Sequence, residues 1–207
     1  MTRLAGWVAA ALLAVGLLGS GSALAATVPD AAKAFIETIS NRAITILSDK
    51  TRPLEAREED VRLILSSALA IEALGRFTLG RHWAQASEEQ RADYQTLFAD
   101  WVVRSYARRL SAYSGESLTV LRAAPMGKED ALVMTQLTQT QGAPLSAGWR
   151  VRDTGPGGMK ILDVIVEGVS MVVAQRDEFD AIAQKNGVSG LIELLRLRVS
   201  QYTAKAS

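Results

Sequence analysis

The sequence of 207 residues contains no cysteine and only one histidine, His82. Disulfides, cysteine nucleophiles and metal sites built from cysteine and histidine are therefore excluded. The sequence also contains no P-loop, no G-x-G-x-x-G fingerprint and no G-x-S-x-G nucleophile motif. The sequence therefore contains few residues or motifs that could catalyse a reaction. This argues against an enzyme, and we expect neither a metal nor a cofactor.

An excess of charge of either sign is also absent. The 23 basic residues face 22 acidic ones, and the formal net charge is +1. A nearly neutral chain lacks the basic surface that nucleic acid requires, and it has no strong attraction to anionic lipid. We expect no nucleic-acid partner and only transient contact with a membrane.

Long apolar runs are confined to the N-terminus. Arg3 precedes an almost unbroken apolar run over residues 4–18, and Ala23-Leu24-Ala25 has the small-x-small pattern that signal peptidase recognises. The run is shorter than the roughly 20 residues that a membrane span needs. We predict that residues 1–25 are a cleaved signal peptide, that residues 26–207 form a single domain, and that the protein is periplasmic.

Apolar periodicity divides the mature chain into helices, then strands, then helices. Spacings of three and four residues predict helices over 30–49, 53–71, 74–83, 88–113, 171–184 and 189–204. Alternating residues predict strands over 117–123, 131–140, 144–153 and 159–167, joined by glycine-rich turns. This order predicts one α+β domain, with helices packed on one face of a curved antiparallel sheet.

The stretch 161–176 is the centre of this prediction, because a strand there passes almost directly into a helix. Gly168 interrupts the strand and Ser170 offers a helix cap. The apolar space between this sheet and its helices is the candidate site, and the small residues Ala147 and Gly148 would leave room in it. The candidate lining combines large rings with aliphatic residues of the strand-to-helix turn: Phe77, Leu79, Trp83, Phe98, Trp101, Tyr106, Trp149, Val164, Val166, Val169 and Met171. The alternative is that these side chains are ordinary core.

Three polar residues are the remaining catalytic candidates. Asp163 and Glu167 fall on one strand face and would form an acid/base pair only if they pointed into a pocket. A solvated or salt-bridged strand face is the ordinary interpretation of that pattern. His82, beside Trp83, is more typical of a packed or surface histidine than of a general base.

Four segments resemble one family. They are L-G-R-H-W-x-x-A-S-x-x-Q-R-x-x-Y (79–94), Y-A-R-R-L-x-x-Y (106–113), D-V-I-V-E-G-V-S-M-V (163–172) and N-G-V-S-G-L-I-E-x-L (186–195). Together they resemble the MlaC family of periplasmic phospholipid-binding proteins, also called toluene-tolerance proteins. The resemblance runs over about residues 30–200.

The resemblance implies an NTF2-like fold, in which a curved antiparallel sheet and its helices enclose an apolar pocket. It implies a phospholipid ligand and two partners: an outer-membrane lipoprotein–porin complex and an inner-membrane ABC transporter with an MCE-domain subunit. Carrying lipid between them would maintain outer-membrane lipid asymmetry. Three alternatives stay open: a carrier of hopanoid or another apolar lipid, an NTF2-like partner protein with a filled core, and an NTF2-like enzyme with a carboxylate buried in its pocket.

Overall fold

The computed structural model describes residues 27–203, so the predicted signal peptide lies outside the described residues. The helices are α1 (Val28–Ser48), α2 (Leu54–Ala68), α3 (Ile71–Leu79), α4 (His82–Gln85), α5 (Glu88–Leu110) and α6 (Met171–Thr203). The strands are β1 (Ser117–Met126), β2 (Asp130–Thr138), β3 (Leu145–Asp153), β4 (Met159–Val166) and β5 (Val169–Ser170). This arrangement confirms the predicted α+β class.

Short polar motifs set the helix starts. Thr27 caps α1, and its hydroxyl accepts a hydrogen bond from the Asp30 amide. Ser87 and Gln90 form the reciprocal capping box predicted for α5. Ser170 caps α6, as its hydroxyl accepts a hydrogen bond from the Val173 amide at 3.1 Å. These caps confirm the helix starts predicted at Ser87 and Ser170.

The junction between α2 and α3 differs from the prediction. The periodicity extends α2 to residue 71, but the helix ends at Ala68. Leu69 is extended and bridges to Ile161 of β4, and the Ala70 amide donates to the Ile161 carbonyl at 3.0 Å. Two residues therefore leave the helix because the edge of β4 offers them backbone hydrogen bonds.

The five strands form one antiparallel sheet in the order β1-β2-β3-β4-β5. The pairing of β1 with β2 shifts register between Val120 and Arg122, and that of β3 with β4 shifts between Arg150 and Val151. Such bulges bend the bulged strands and increase their twist, which curves the sheet. The fifth strand, which the sequence did not predict, pairs back onto β4.

Apolar packing forms two main layers. Helix α1 lies against the sheet, where Ile36 packs with Val133, Val151 and Ile161. A second cluster joins α3, α5 and α6 around four rings, which we call the aromatic cluster: Tyr94, Phe98, Trp101 and Phe179. Their ring centroids lie 5.5 to 6.4 Å apart in the contacting pairs.

One buried ion-pair group joins the start of β2 to the last residues of β3. The side chain of Asp130 is only 3% exposed and accepts hydrogen bonds from Arg150 and Arg152. Burial by itself would raise the pKa of Asp130, but the hydrogen bonds from Arg152 and Arg150 outweigh it and hold this pKa below its ordinary value. The ionised carboxylate is therefore part of the folded state.

Helix α6 is kinked at Gly187, as the Asn186-Gly187 pair predicts. Gly187 has φ 69° and ψ 175°, a conformation that is essentially restricted to glycine. Its two segments, 171–186 and 188–203, both contribute to the cluster with α3 and α5. Within residues 27–203, no helix has both the length and the apolar character that crossing a bilayer would require.

Candidate functional site: an apolar cavity between α1, α2 and the sheet

A cavity of about 330 Å³ lies between α1, α2, the C-terminal end of α5 and strands β1 to β4. We call it the α1–sheet cavity. Its lining is predominantly apolar and comprises Ile39, Ser40, Ala43, Ile44, Leu47, Ile64, Leu65, Ala68, Arg109, Leu110, Ala112, Tyr113, Glu116, Leu118, Leu137, Gln139, Trp149 and Ile161. The volume falls at the lower end of the range, about 300–1,000 Å³, that small-molecule sites occupy.

The deep end of the cavity is apolar and almost fully buried. Ile64, Ala68 and Ile161 line it and are 5%, 2% and 2% exposed. Ala43 also lines the cavity from α1, so short side chains at 43 and 68 leave space where helix and sheet would otherwise close. A site with this lining can hold an apolar chain but offers it no hydrogen-bonding partner.

Trp149 forms part of the wall from β3. Its indole N–H donates to the Thr135 hydroxyl at 3.0 Å, and that hydroxyl donates to the Ala147 carbonyl at 3.0 Å. Because the polar edge of the ring is satisfied by β2, the tryptophan can present its apolar surface to the cavity. The buried hydroxyl of Thr135 thereby fixes the orientation of the indole.

The mouth of the cavity lies beside the end of α5, where Arg109, Leu110 and Ala112 are exposed. The guanidinium of Arg109 lies over the Tyr106 ring, 5.5 Å from its centroid. Glu116 lies in the connection to β1. Polar and charged groups are therefore concentrated where the cavity meets solvent.

The eleven predicted lining residues are spread over several parts of the fold. Trp149 lines the α1–sheet cavity. The remaining ten lie outside its lining. Leu79, Phe98 and Trp101 are buried among α3, α5 and α6, with Trp83 and Tyr106 packed against them. Val164 packs in the α1–sheet layer, Val166 and Met171 are half-buried, and Phe77 and Val169 are exposed. Contact of these ten with a ligand stays a prediction.

The α1 and α2 residues that surround the cavity are not among the lining residues predicted from the sequence. Ile39, Ala43 and Leu47 on α1, with Ile64 and Ala68 on α2, were identified only as buried helix faces. The only indication in the sequence is that those helix faces contain alanines. An alanine by itself does not distinguish a cavity from close packing.

The two small residues of β3 point to opposite faces. Ala147 shares a face with Trp149, whereas Gly148 lies on the other face. A Cβ at Gly148 would lie 3.2 Å from both Leu132 Cδ1 and Met134 Sδ. The room at Gly148 is therefore filled by β2 side chains, and this glycine does not widen the α1–sheet cavity.

The catalytic candidates are engaged in structural contacts. Asp163 accepts hydrogen bonds from the Ser170 hydroxyl at 2.6 Å and the Val172 amide at 3.1 Å, which anchors the start of α6. Glu167 accepts a hydrogen bond from the Ser146 amide. Neither residue lines the α1–sheet cavity.

His82 joins α4 to α6. Its Nε2 lies 2.8 Å from Asp180, which also pairs with Arg81. Partial burial opposes ionisation of Asp180, but hydrogen bonds from His82 and Arg81 hold the pKa of that carboxyl below its ordinary value. Within residues 27–203, no group of three or more acidic or histidine side chains is arranged to hold a metal ion.

The fold and the cavity define a class of protein: an α+β domain in which a curved antiparallel sheet and its helices enclose an apolar site. The structure has TM-score 0.70 to a phospholipid-binding protein from Ralstonia solanacearum that was solved in complex with a phospholipid. The likeness covers 83% of this chain and 98% of that one, at 21% identity. This similarity confirms the predicted fold of helices packed on a curved antiparallel sheet, which is consistent with the NTF2-like class.

The sequence comparisons identify the family. The family model described as MlaC protein matches residues 37–197, which is most of the chain. The intermembrane phospholipid transport system binding protein MlaC of Haemophilus influenzae is 26% identical over 144 residues, covering 68% of this chain and 67% of that protein. The chain belongs to the MlaC family, as its four sequence segments predicted.

Proposed function

We propose that this protein is a periplasmic phospholipid carrier, which binds acyl chains in the α1–sheet cavity and shuttles lipid between the outer and inner membranes. The observation that carries the proposal is the apolar cavity itself, with its buried deep end and its polar mouth. Membership in the MlaC family supports it. Two relatives support it further, because the Haemophilus influenzae protein belongs to an intermembrane phospholipid transport system and the Ralstonia solanacearum protein holds a phospholipid.

Transfer energetics suit a carrier. Burying acyl methylenes contributes about 0.8 kcal/mol per CH₂ relative to water. A chain that already lies in a bilayer is not in water, so moving it into the cavity yields little net free energy. The lipid is therefore retained across the aqueous periplasm, while spontaneous extraction from a membrane is slow.

Slow spontaneous exchange requires partners that open or align the cavity at each membrane. We propose the two that the family resemblance implies: the outer-membrane lipoprotein–porin complex and the inner-membrane ABC transporter with an MCE-domain subunit. This exchange would maintain the lipid asymmetry of the outer membrane. The protein would act by binding alone, without catalysis.

The size of the cavity bears on how much lipid it holds. An apolar cavity of about 150 Å³ accommodates benzene, so about 330 Å³ corresponds to roughly a dozen carbon atoms. That is about one acyl chain. A diacyl lipid therefore requires α1 to move away from the sheet, and we expect the cavity to widen on loading.

Native mass spectrometry with lipid extraction, on protein purified from a bacterial periplasm, tests the proposal. We expect a bound mass equal to a diacyl glycerophospholipid. A triterpenoid mass would assign the protein to hopanoid binding. A protein that contains no lipid and takes up none from added phospholipid would contradict the carrier function.

Liposomes provide the second arm of this test. The purified protein alone should extract labelled phospholipid slowly, and addition of a membrane partner complex should accelerate the extraction. Rapid extraction without any partner would argue against a carrier that is loaded by docking.

A further inference from the structure

The mouth of the α1–sheet cavity contains one cation and one anion that do not pair with each other. Arg109 reaches it from the last turn of α5, and Glu116 reaches it from the connection to β1. No acidic side chain among residues 27–203 lies within ion-pairing distance of Arg109, whose neighbour is the Tyr106 ring. Arg104, on the same helix, does have an acidic partner, since its Nε lies 2.5 Å from Oδ1 of Asp100.

Glu116 is held as a fixed negative charge. Its two carboxylate oxygens accept hydrogen bonds from the amide and the hydroxyl of Ser114, each at 2.8 Å. The hydrogen bond from the Ser114 amide is the main reason why the pKa of Glu116 lies below its ordinary value. This carboxyl is therefore ionised at neutral pH.

The helix dipole accounts for a basic residue in the last turn of α5, but it does not account for the position of Arg109 at the cavity mouth. A cation in the last turn of a helix interacts favourably with the helix dipole. Arg108 satisfies that interaction equally and does not line the cavity. An apolar ligand without a charged head would gain nothing from Arg109 or Glu116 at the mouth.

We propose that Arg109 and Glu116 form a two-charge headgroup site that selects phospholipids whose phosphodiester carries an ammonium group. This inference rests on the proposed function. The guanidinium of Arg109 donates to the phosphate oxygens, and the carboxylate of Glu116 accepts from the ammonium. A phospholipid with an anionic head and no ammonium keeps the first contact but brings its negative charge close to Glu116, so it binds less well.

Competition between three lipids with identical acyl chains tests the site. Phosphatidylethanolamine, phosphatidylglycerol and uncharged diacylglycerol are offered in equal amounts, and the bound species are counted by native mass spectrometry. Exposed charge pairs contribute about 0.2–1 kcal/mol, so the wild-type protein should prefer phosphatidylethanolamine over phosphatidylglycerol by about 1.4- to fivefold.

Three variants assign the preference to its residues. Glu116→Gln should bring the ratio of phosphatidylethanolamine to phosphatidylglycerol close to one. Arg109→Gln should lower the ratio of both phospholipids to diacylglycerol by about 1.4- to fivefold. Arg108→Gln is the matched control, because it removes the same charge from the same turn away from the cavity, and it should leave both ratios unchanged.

The outcomes separate this inference from the carrier function. A wild-type protein that binds all three lipids equally would overturn the headgroup site alone and leave the carrier function in place. A preference for phosphatidylethanolamine over phosphatidylglycerol that survives Glu116→Gln would also overturn it. So would an Arg108→Gln variant that lowers the ratio of phospholipid to diacylglycerol as much as Arg109→Gln does. A wild-type protein that binds none of the three would contradict the carrier function and this site with it.

Discussion

Filling the α1–sheet cavity from α1 should weaken lipid binding strongly without unfolding the protein. Ala43 lines the cavity, and the change Ala43→Phe places a ring inside it. A benzene ring occupies a cavity of about 150 Å³, so the new side chain takes up nearly half of the available space. Overpacking of this kind costs about 1–3 kcal/mol of stability, which a folded domain tolerates.

The loss of affinity follows from the methylenes that the ring displaces. Excluding four or five CH₂ groups, at about 0.8 kcal/mol each, weakens binding by about 3–4 kcal/mol, or a few hundredfold. Titration with a phospholipid that carries a fluorescent acyl chain measures this change. Thermal unfolding of the same samples verifies that the variant is folded.

Ala34→Phe is the matched control for this experiment. Ala34 lies on the same helix, is exposed and does not line the cavity, so both variants share the propensity cost of about 0.5 kcal/mol for replacing alanine in a helix. We expect Ala34→Phe to bind lipid like the wild-type protein. If Ala43→Phe bound within threefold of Ala34→Phe, the acyl chains would have to lie elsewhere.

Three further predictions concern fluorescence and stability. Phospholipid with brominated acyl chains should quench tryptophan fluorescence through Trp149, and Trp149→Phe should remove most of the quenching; persistent quenching would implicate Trp83 or Trp101, which do not line the cavity. The depressed pKa of Asp130 stabilises the fold above its unfolded-state pKa, and this contribution is lost as pH falls below about 4. Asp130→Asn should therefore cost about 1–2 kcal/mol at pH 7 and flatten the acid limb of chemical denaturation curves, and an unchanged acid limb would contradict this. Gly187→Ala should cost about 1–3 kcal/mol in calorimetry because of its positive φ, whereas a gain in stability would mean that α6 runs straight.

Much of the fold follows from local patterns. The four main strands and the kink in α6 are visible as a period of two and as the Asn186-Gly187 pair. Helix caps at Ser87 and Ser170 depend on hydrogen bonds that span only three residues, so the sequence can indicate them. The end of α2 is different, since Leu69 bridges to Ile161 and the Ala70 amide donates to the Ile161 carbonyl, and this residue of β4 lies about 90 residues further along the chain.

The location of the cavity depends on tertiary packing. Large rings were selected as candidate lining, but Phe98 and Trp101 pack with each other and with Phe179 in the aromatic cluster. Burying such rings against one another removes most apolar area from water, so they tend to occupy close-packed interior. A cavity remains where side chains are too short to meet across a gap. The sequence lists the alanines at 43 and 68 but does not show that they face one space.

The most direct test of the central claim is to locate a bound acyl chain. Crystals grown with phospholipid that carries bromine on its acyl chains would reveal the bromine positions by anomalous diffraction. We predict bromine between α1, α2 and Trp149, inside the cavity and close to Ile161. Bromine within the aromatic cluster among α3, α5 and α6, or no bromine inside the fold, would contradict it.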